Sequence, residues 1–75
     1  MCNNTGLRRV QISVNGEQLD LPAGTTVARL IETLDMRPKL VAVERNRELI
    51  PRAEHKDCVL HENDEVEVVT LVGGG

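Results

Sequence analysis

The sequence contains no phenylalanine, tyrosine or tryptophan, so any core must be built from aliphatic side chains. The 75 residues supply 10 valines, nine leucines and three isoleucines for that purpose. This aliphatic content is high enough for a globular protein and excludes a disordered one. We expect one small domain, close to the lower size at which an apolar core is sufficient without disulfides or a metal.

Concentrated positive charge is also absent. The nine basic residues are scattered along the chain and the formal net charge is −3, so the basic patch of a nucleic-acid-binding protein is missing. No apolar run approaches the roughly 20 residues that span a bilayer, and residues 1–7 lack the apolar segment of a signal peptide. We therefore expect a cytoplasmic protein with neither nucleic acid nor membrane among its partners.

Cysteine is limited to Cys2 and Cys58. Two thiols make no disulfide framework, so we expect both to be reduced, with Cys58 as a small buried residue. The cysteines and the two histidines, His55 and His61, do not have the spacing of metal ligands. The sequence therefore predicts no metal site.

Alternation of apolar and polar side chains predicts strands near both ends of the chain. Residues 9–14 and 65–69 each show the period of two that is typical of a strand with one buried face. The dipeptide Asn15-Gly16 follows the first strand and favours a tight turn, so a second strand should return over residues 17–21.

One helix is predicted after the second strand, over residues 26–35. Thr25 or Thr26 can cap its first amides, and Pro38 disfavours helical backbone ahead of it. Four apolar side chains fall on one helical stripe that can cover a sheet. They are Val27, Leu30, Ile31 and Leu34.

The centre of the chain predicts two further strands. Residues 40–44 are apolar on both faces, as in an interior strand or one whose outer face meets a partner. A turn at residues 46–47 leads into a short strand over 48–50, and a helical turn is expected over 53–56. The order is strand, strand, helix, strand, strand, strand, which defines an α+β domain with a mixed sheet of about five strands.

The polar residues of the last third do not indicate catalysis. Four carboxylates lie in a turn and on the expected solvent side of the last strand, so a solvated face explains them. They are Glu62, Asp64, Glu65 and Glu67. His55 and His61 have no nucleophile placed by a motif, and no nucleophile elbow or phosphate-binding glycine loop occurs. We expect no catalytic residue.

The chain ends on Gly73, Gly74 and Gly75. Glycine loses the most conformational freedom on ordering, so three in a row resist packing into a core. Without side chains they form a thin cord that can thread through a channel that any Cβ would block. The α-carboxylate of Gly75 is ionised at neutral pH and sterically open, so it can attack phosphorus as a nucleophile. A floppy end and an engineered scar remain alternatives.

Four stretches, taken in order, resemble the ThiS family of sulfur carrier proteins. They are VQISVNGEQLDLPAGTTVARLIETL, VAVERNRELIPR, ENDEVEVV and the terminal VGGG. The resemblance implies a β-grasp, ubiquitin-like fold in which the first and last long strands lie side by side. We expect a disordered leader over residues 1–8, which exceeds the usual start of the family, a β-grasp domain over 9–71 and a flexible glycine tail over 72–75.

The resemblance also implies a reaction. An adenylyltransferase resembling ThiF would activate Gly75 with ATP and Mg²⁺, which belong to that partner, because nothing in this chain is built to bind them. Sulfur from a donor enzyme would then replace the adenylate to leave a thiocarboxylate. A thiazole synthase resembling ThiG would receive the sulfur for the thiazole ring of thiamine. The chain is then a cosubstrate and not an enzyme.

A docking patch is predicted at the root of the tail. If the valines at positions 66 and 68 point inward, Val69 and Leu71 point outward beside acidic side chains. The predicted patch consists of Val69, Leu71, Val72, Glu65 and Glu67. Ordinary surface apolar residues are the alternative explanation.

Two positions depart from the family pattern, in which an aromatic residue stands shortly before the glycines and another near position 55. Here Leu71 and His55 stand instead. Two other functions remain as alternatives: the small subunit of molybdopterin synthase, resembling MoaD, and a ubiquitin-like binding module that carries no sulfur. The VERNRELIPR segment favours ThiS.

Overall fold

The computed structural model describes residues 8–71. Five strands and one α-helix follow the order that the sequence predicts. They are β1 (Arg9–Val14), β2 (Glu17–Pro22), α1 (Val27–Thr33), β3 (Val41–Arg45), β4 (Glu48–Ile50) and β5 (Glu65–Thr70). Two 3₁₀ turns, Pro38–Leu40 and Arg52–Glu54, lie on either side of the β3–β4 pair. Among the described residues, no helix is long and apolar enough to cross a membrane.

The five strands form one mixed sheet in the order β2-β1-β5-β3-β4. β1 is antiparallel to β2 and parallel to β5, with Ser13 opposite Glu65. β3 is antiparallel to both β5 and β4. The first and last strands therefore lie side by side at the centre of the sheet, which confirms the predicted β-grasp arrangement.

The helix covers one face of this sheet and closes the core. Val27, Leu30 and Ile31 are fully buried and pack with the inward side chains of the strands. Those strand residues are Ile12, Val14, Leu21, Val41, Val43, Val66 and Val68. Leu60, only 1% exposed, joins them from the loop before β5. An aliphatic core is therefore sufficient for the fold, as the absence of aromatic residues requires.

The helix is shorter than the range predicted from sequence. Thr26 caps its start as expected, because its hydroxyl accepts a hydrogen bond from the Arg29 amide at 3.2 Å. The predicted end at residue 35 is wrong: Thr33 is the last helical residue and Leu34 has a ψ of 0°. Asp35 then takes a φ of 60°, which lies in the left-handed region and ends the helix.

Two other boundaries are shifted from the prediction. The third strand begins at Val41 and not at Leu40, because Leu40 closes the 3₁₀ turn that starts at Pro38. The helical turn expected over 53–56 lies at Arg52–Glu54. Cys58 is a free thiol that is half-buried against the core.

Both hairpins use tight turns with positive φ at their central residues. Asn15 and Gly16 have φ values of 51° and 87°, and Asn46 and Arg47 have 53° and 71°. Such turns match the twist of the flanking strands and fix the register of each hairpin. The Asn15 side chain also pairs with β5, since it accepts from the Val68 amide and donates to the Val68 carbonyl. These turns therefore set which side chains share a face.

Candidate docking and modification site

The root of the tail is fixed to the sheet. β5 ends at Thr70, and the next amide, that of Leu71, donates a hydrogen bond to the Leu40 carbonyl at 2.7 Å. The predicted modification residue Gly75, the threading residues Gly73 and Gly74, and the docking residue Val72 lie outside the described residues. Their roles stay predictions. The geometry that follows concerns the surface next to that root.

The predicted inward and outward alternation of β5 is confirmed. Val66 and Val68 are 1% and 6% exposed, whereas Val69 and Leu71 are 55% and 62% exposed. Glu65 and Glu67 are exposed as well. The docking residues that the structure describes therefore lie on the outer face of the sheet, opposite the helix; that they dock remains a prediction.

Strand pairing brings further apolar residues to the same outer face. Ala42 of β3 lies directly opposite Val69, and Leu49 of β4 lies opposite Glu44 of β3. We call Ala42, Leu49, Val69 and Leu71 the outer patch. Leu49, Val69 and Leu71 are the large apolar side chains that are most exposed in the described part of the chain. Their grouping on one face is typical of an interaction surface, because scattered apolar residues need no partner.

Leu49 was absent from the docking residues predicted from sequence. A register argument could have found it, because a two-residue turn at Asn46 and Arg47 pairs residue 45 with 48 and therefore 44 with 49. Residues 44 and 42 share one face of their strand, since side chains alternate. The missing step was the β3–β5 pairing, which joins this face to that of β5.

A groove opens beside the outer patch at the root of the tail. It has a volume of about 370 Å³ and is lined by Leu49 and Leu71 on the patch side and by Pro38 and Arg52 from the 3₁₀ turns. His55 also lines it and is 4% exposed. The groove adjoins the outer patch next to the point where the tail begins, and its lining also includes the basic residues Lys39 and Arg52.

His55 has a structural position in this groove. Its Nε2 lies 3.0 Å from the Ile50 carbonyl, and a carbonyl can only accept, so Nε2 carries the proton. No side chain that could serve as a nucleophile is hydrogen-bonded to it within the described residues, and its Nδ1 has no partner there. The expectation that His55 is not a catalytic base stays a prediction.

One acidic residue does not fit the expected solvated face. Asp64 is 9% exposed, accepts from the His61 amide at 2.8 Å and from the Asn46 side chain at 3.2 Å. The prediction of a solvated carboxylate is therefore wrong for Asp64, because both of its oxygens are bound to donors within the protein and not left to water. Glu62 is exposed but accepts from the Gln11 amide at 2.9 Å. Both carboxylates hold their loops through these hydrogen bonds.

Within residues 8–71, no group of three or more potential metal ligands is found. The described surface offers an apolar patch, acidic side chains beside it and a tail root at one end.

The parallel pairing of first and last strands, with one helix across the sheet, defines a β-grasp domain. The family model described as the ThiS family matches residues 8–75. This match covers nearly the whole sequence, and the chain belongs to the ThiS family. The family prediction made from the sequence is confirmed.

Individual relatives agree with this placement. The sulfur carrier protein ThiS of Bacillus subtilis is 32% identical over 65 residues, which cover 85% of this chain and 98% of that protein. The crystal structure of the thiamine biosynthesis protein ThiS from Geobacter metallireducens has a TM-score of 0.75 and 26% identity, covering 88% of this chain and 100% of that one.

A third relative is much longer. The thiazole synthase of Magnetococcus marinus is 42% identical over 66 residues, which are 88% of this chain but 20% of that protein. The chain therefore spans about a fifth of the length of this relative. A segment similar to the domain described above is part of a thiazole synthase chain.

Proposed function

We propose that this chain is the sulfur carrier of thiamine biosynthesis and that Gly75 is the residue that carries the sulfur. The observation that supports this most directly is the family match that extends through residue 75 and includes the terminal glycines. It also favours thiamine biosynthesis over the small subunit of molybdopterin synthase. A carrier needs a slender end that projects from a stable domain. The last strand of the described domain, β5, is hydrogen-bonded to β1 and β3 and so provides a stable base for that end.

The proposed reaction has two steps. In the first, an oxygen of the Gly75 carboxylate attacks the α-phosphorus of ATP and pyrophosphate leaves, giving an acyl adenylate. In the second, sulfide supplied by a donor enzyme attacks the acyl carbon and AMP leaves, so that a thiocarboxylate remains. An adenylyltransferase resembling ThiF binds the ATP and the Mg²⁺, whose charge offsets that of the phosphates.

The position of the tail root fits a reaction in which the carrier supplies the carboxylate and the adenylyltransferase binds the ATP. Leu71 is hydrogen-bonded to the sheet, and the four residues beyond it can extend roughly 13 to 14 Å. A tail of that reach lets the tip enter an enclosed pocket while the domain stays outside. Enclosure matters because water would hydrolyse an acyl adenylate.

The outer face of the sheet is the proposed docking surface for the activating enzyme. Val69 and Leu71 supply exposed apolar area, Glu65 and Glu67 supply charge, and Val72 continues the same segment. A thiazole synthase resembling ThiG is the proposed acceptor of the sulfur. The thiazole synthase relative that contains a similar segment supports this second partner.

Intact-mass measurement tests the proposal. The chain is incubated with ATP, Mg²⁺, the ThiF-like enzyme of the same organism and a sulfur source. We expect one oxygen of the C-terminal peptide to be replaced by sulfur. An unchanged mass, with an enzyme shown to be active on another carrier, would identify a passive ubiquitin-like module instead.

A chain extended by one alanine after Gly75 is the matched control. The extension moves the carboxylate out of register with the pocket and places a Cβ where a glycine entered, so we expect no adenylation. The domain itself is unchanged, which thermal unfolding verifies. Equal adenylation of the extended chain would contradict the role of Gly75.

A further inference from the structure

Two carboxylates face each other on the outer face of the sheet. Glu44 of β3 is the direct cross-strand partner of Glu67 of β5. In such a pair the Cβ atoms lie about 4.5 to 5.5 Å apart, and like charges destabilise the sheet. Within residues 8–71 neither carboxylate takes part in an ion pair, since the salt bridges there join Arg9 to Asp20 and Arg29 to Glu32.

The pair lies inside the outer patch. Leu49 is the cross-strand neighbour of Glu44 on the side away from Glu67. Val69 and Ala42 face each other two positions further along the same two strands. A partner that covers these apolar side chains also removes water from the two carboxylates. Covering them without a cation would bury two like charges, which is strongly unfavourable.

We propose that the Glu44–Glu67 pair binds an arginine side chain of the activating adenylyltransferase and so determines how that enzyme recognises its carrier; this rests on the proposed function. A guanidinium presents a planar fork of donors that can bridge two carboxylates, whereas an ammonium is a compact point charge. The aliphatic part of an arginine also has apolar neighbours here, in Leu49 and Val69.

A second copy of this chain is a poor occupant of the same face. Two copies meeting through their outer patches would bring four carboxylates together, and each copy has a formal net charge of −3. A partner with a positive charge set in an apolar surface is complementary to this face.

The distance from the Glu44–Glu67 pair to the tail means that an arginine bound to the pair would also position the tail. Glu67 and Leu71 are four residues apart on an extended segment, which corresponds to about 13 Å. An arginine bound at Glu67 would therefore fix the tail root at a set distance from the enzyme pocket. The carrier is then held at two points, the acidic pair and the inserted tail.

The substitution Glu67→Gln tests this inference through two opposite effects. It removes the repulsion, so the midpoint of urea unfolding should rise. It also removes one arm of the ion pair, so the KM for the carrier in adenylation should increase about 10- to 100-fold. The kcat should stay unchanged, because the tail still reaches the pocket once the complex has formed.

The matched control is Glu17→Gln. Glu17 is exposed on β2, lies opposite Val14 and contributes the same charge to the net total. We expect it to change neither KM nor the unfolding midpoint. Increasing ionic strength should raise KM less steeply for Glu67→Gln than for Glu17→Gln, because only the first variant has lost the ion pair.

The outcomes separate the inference from the proposed function. Adenylation of the wild-type chain with an unchanged KM for Glu67→Gln would overturn the inference and leave the function standing. A wild-type chain that is never adenylated would overturn both. A dimer that disappears in the variant Leu49→Lys would also overturn the inference, since the face would then belong to a second copy.

Discussion

Replacing Arg47 with glycine should stabilise the domain, whereas the same replacement at the adjacent Asn46 should destabilise it. Both residues occupy the turn between β3 and β4 with positive φ values, 71° for Arg47 and 53° for Asn46. A side chain other than glycine is strained in this region, and Asn tolerates it better than Arg. The two substitutions therefore test strain against hydrogen bonding within one turn.

The magnitudes follow from the contacts. Removing the Arg47 Cβ relieves roughly 1 to 2 kcal/mol of left-handed strain, and the added freedom of glycine in the unfolded chain costs about 0.5 to 1 kcal/mol. The difference is a net gain of about 0 to 1.5 kcal/mol, with its midpoint near 0.8 kcal/mol. Asn46 instead donates to Asp64 at 3.2 Å and accepts from the Glu65 amide at 3.0 Å. Losing two hydrogen bonds, each contributing about 0.5 to 1.5 kcal/mol, outweighs the relief of strain.

Thermal unfolding followed by circular dichroism measures both effects. For a domain of this size, about 1 kcal/mol corresponds to a shift in Tm of roughly 4 to 8 °C. We expect Arg47→Gly to raise Tm and Asn46→Gly to lower it. Arg47→Ala is the control, since it removes the guanidinium but keeps the Cβ, and it should give no gain. Shifts of the same sign for both glycine variants would refute the reasoning.

Three further results are expected. Leu30→Ala should lower the free energy of unfolding by about 2 to 5 kcal/mol, because Leu30 is fully buried. Leu49→Ala should change it by no more than about 0.5 kcal/mol, because Leu49 is 64% exposed. Equal urea midpoints for the two variants would contradict the placement of Leu30 in the core. Asp64→Ala should lower the free energy of unfolding by about 1 to 3 kcal/mol in the same assay, since it leaves the His61 amide without its acceptor. An unchanged free energy of unfolding would show that this amide finds another acceptor. Val69→Glu and Leu71→Glu should each slow adenylation at limiting carrier with little change in Tm, and unchanged rates would rule out docking through the outer patch.

Much of the fold could be predicted because its signals are local. Alternation of apolar side chains located β1 and β5, Asn15-Gly16 fixed the first hairpin, and Thr26 capped the helix as expected. The end of the helix was misplaced because Leu34 continues the apolar stripe although its backbone has already left helical angles. Apolar periodicity reports which side chains pack against the core, and the half-buried Leu34 just after the helix gives the same signal.

The site was predicted only where it lies on one strand. Glu67 and Val69 follow from the alternation of β5, but Glu44 and Leu49 reach the same face through pairing of strands that are distant in sequence. The Asp64 side chain likewise accepts a hydrogen bond from Asn46, which belongs to the turn between β3 and β4. A single sequence contains no direct signal for such pairings.

The central position of β5 determines how the domain responds when its tail is pulled. β5 is bonded to β1 and to β3, and the Asn15 side chain adds two hydrogen bonds at Val68. A force applied through Leu71 acts along this strand, so its bonds to both neighbours bear the load in shear and must break together. A strand at the edge could be peeled away one bond at a time. An enzyme that drew the tail into a tight channel would therefore pull on a strand that is hydrogen-bonded on both sides.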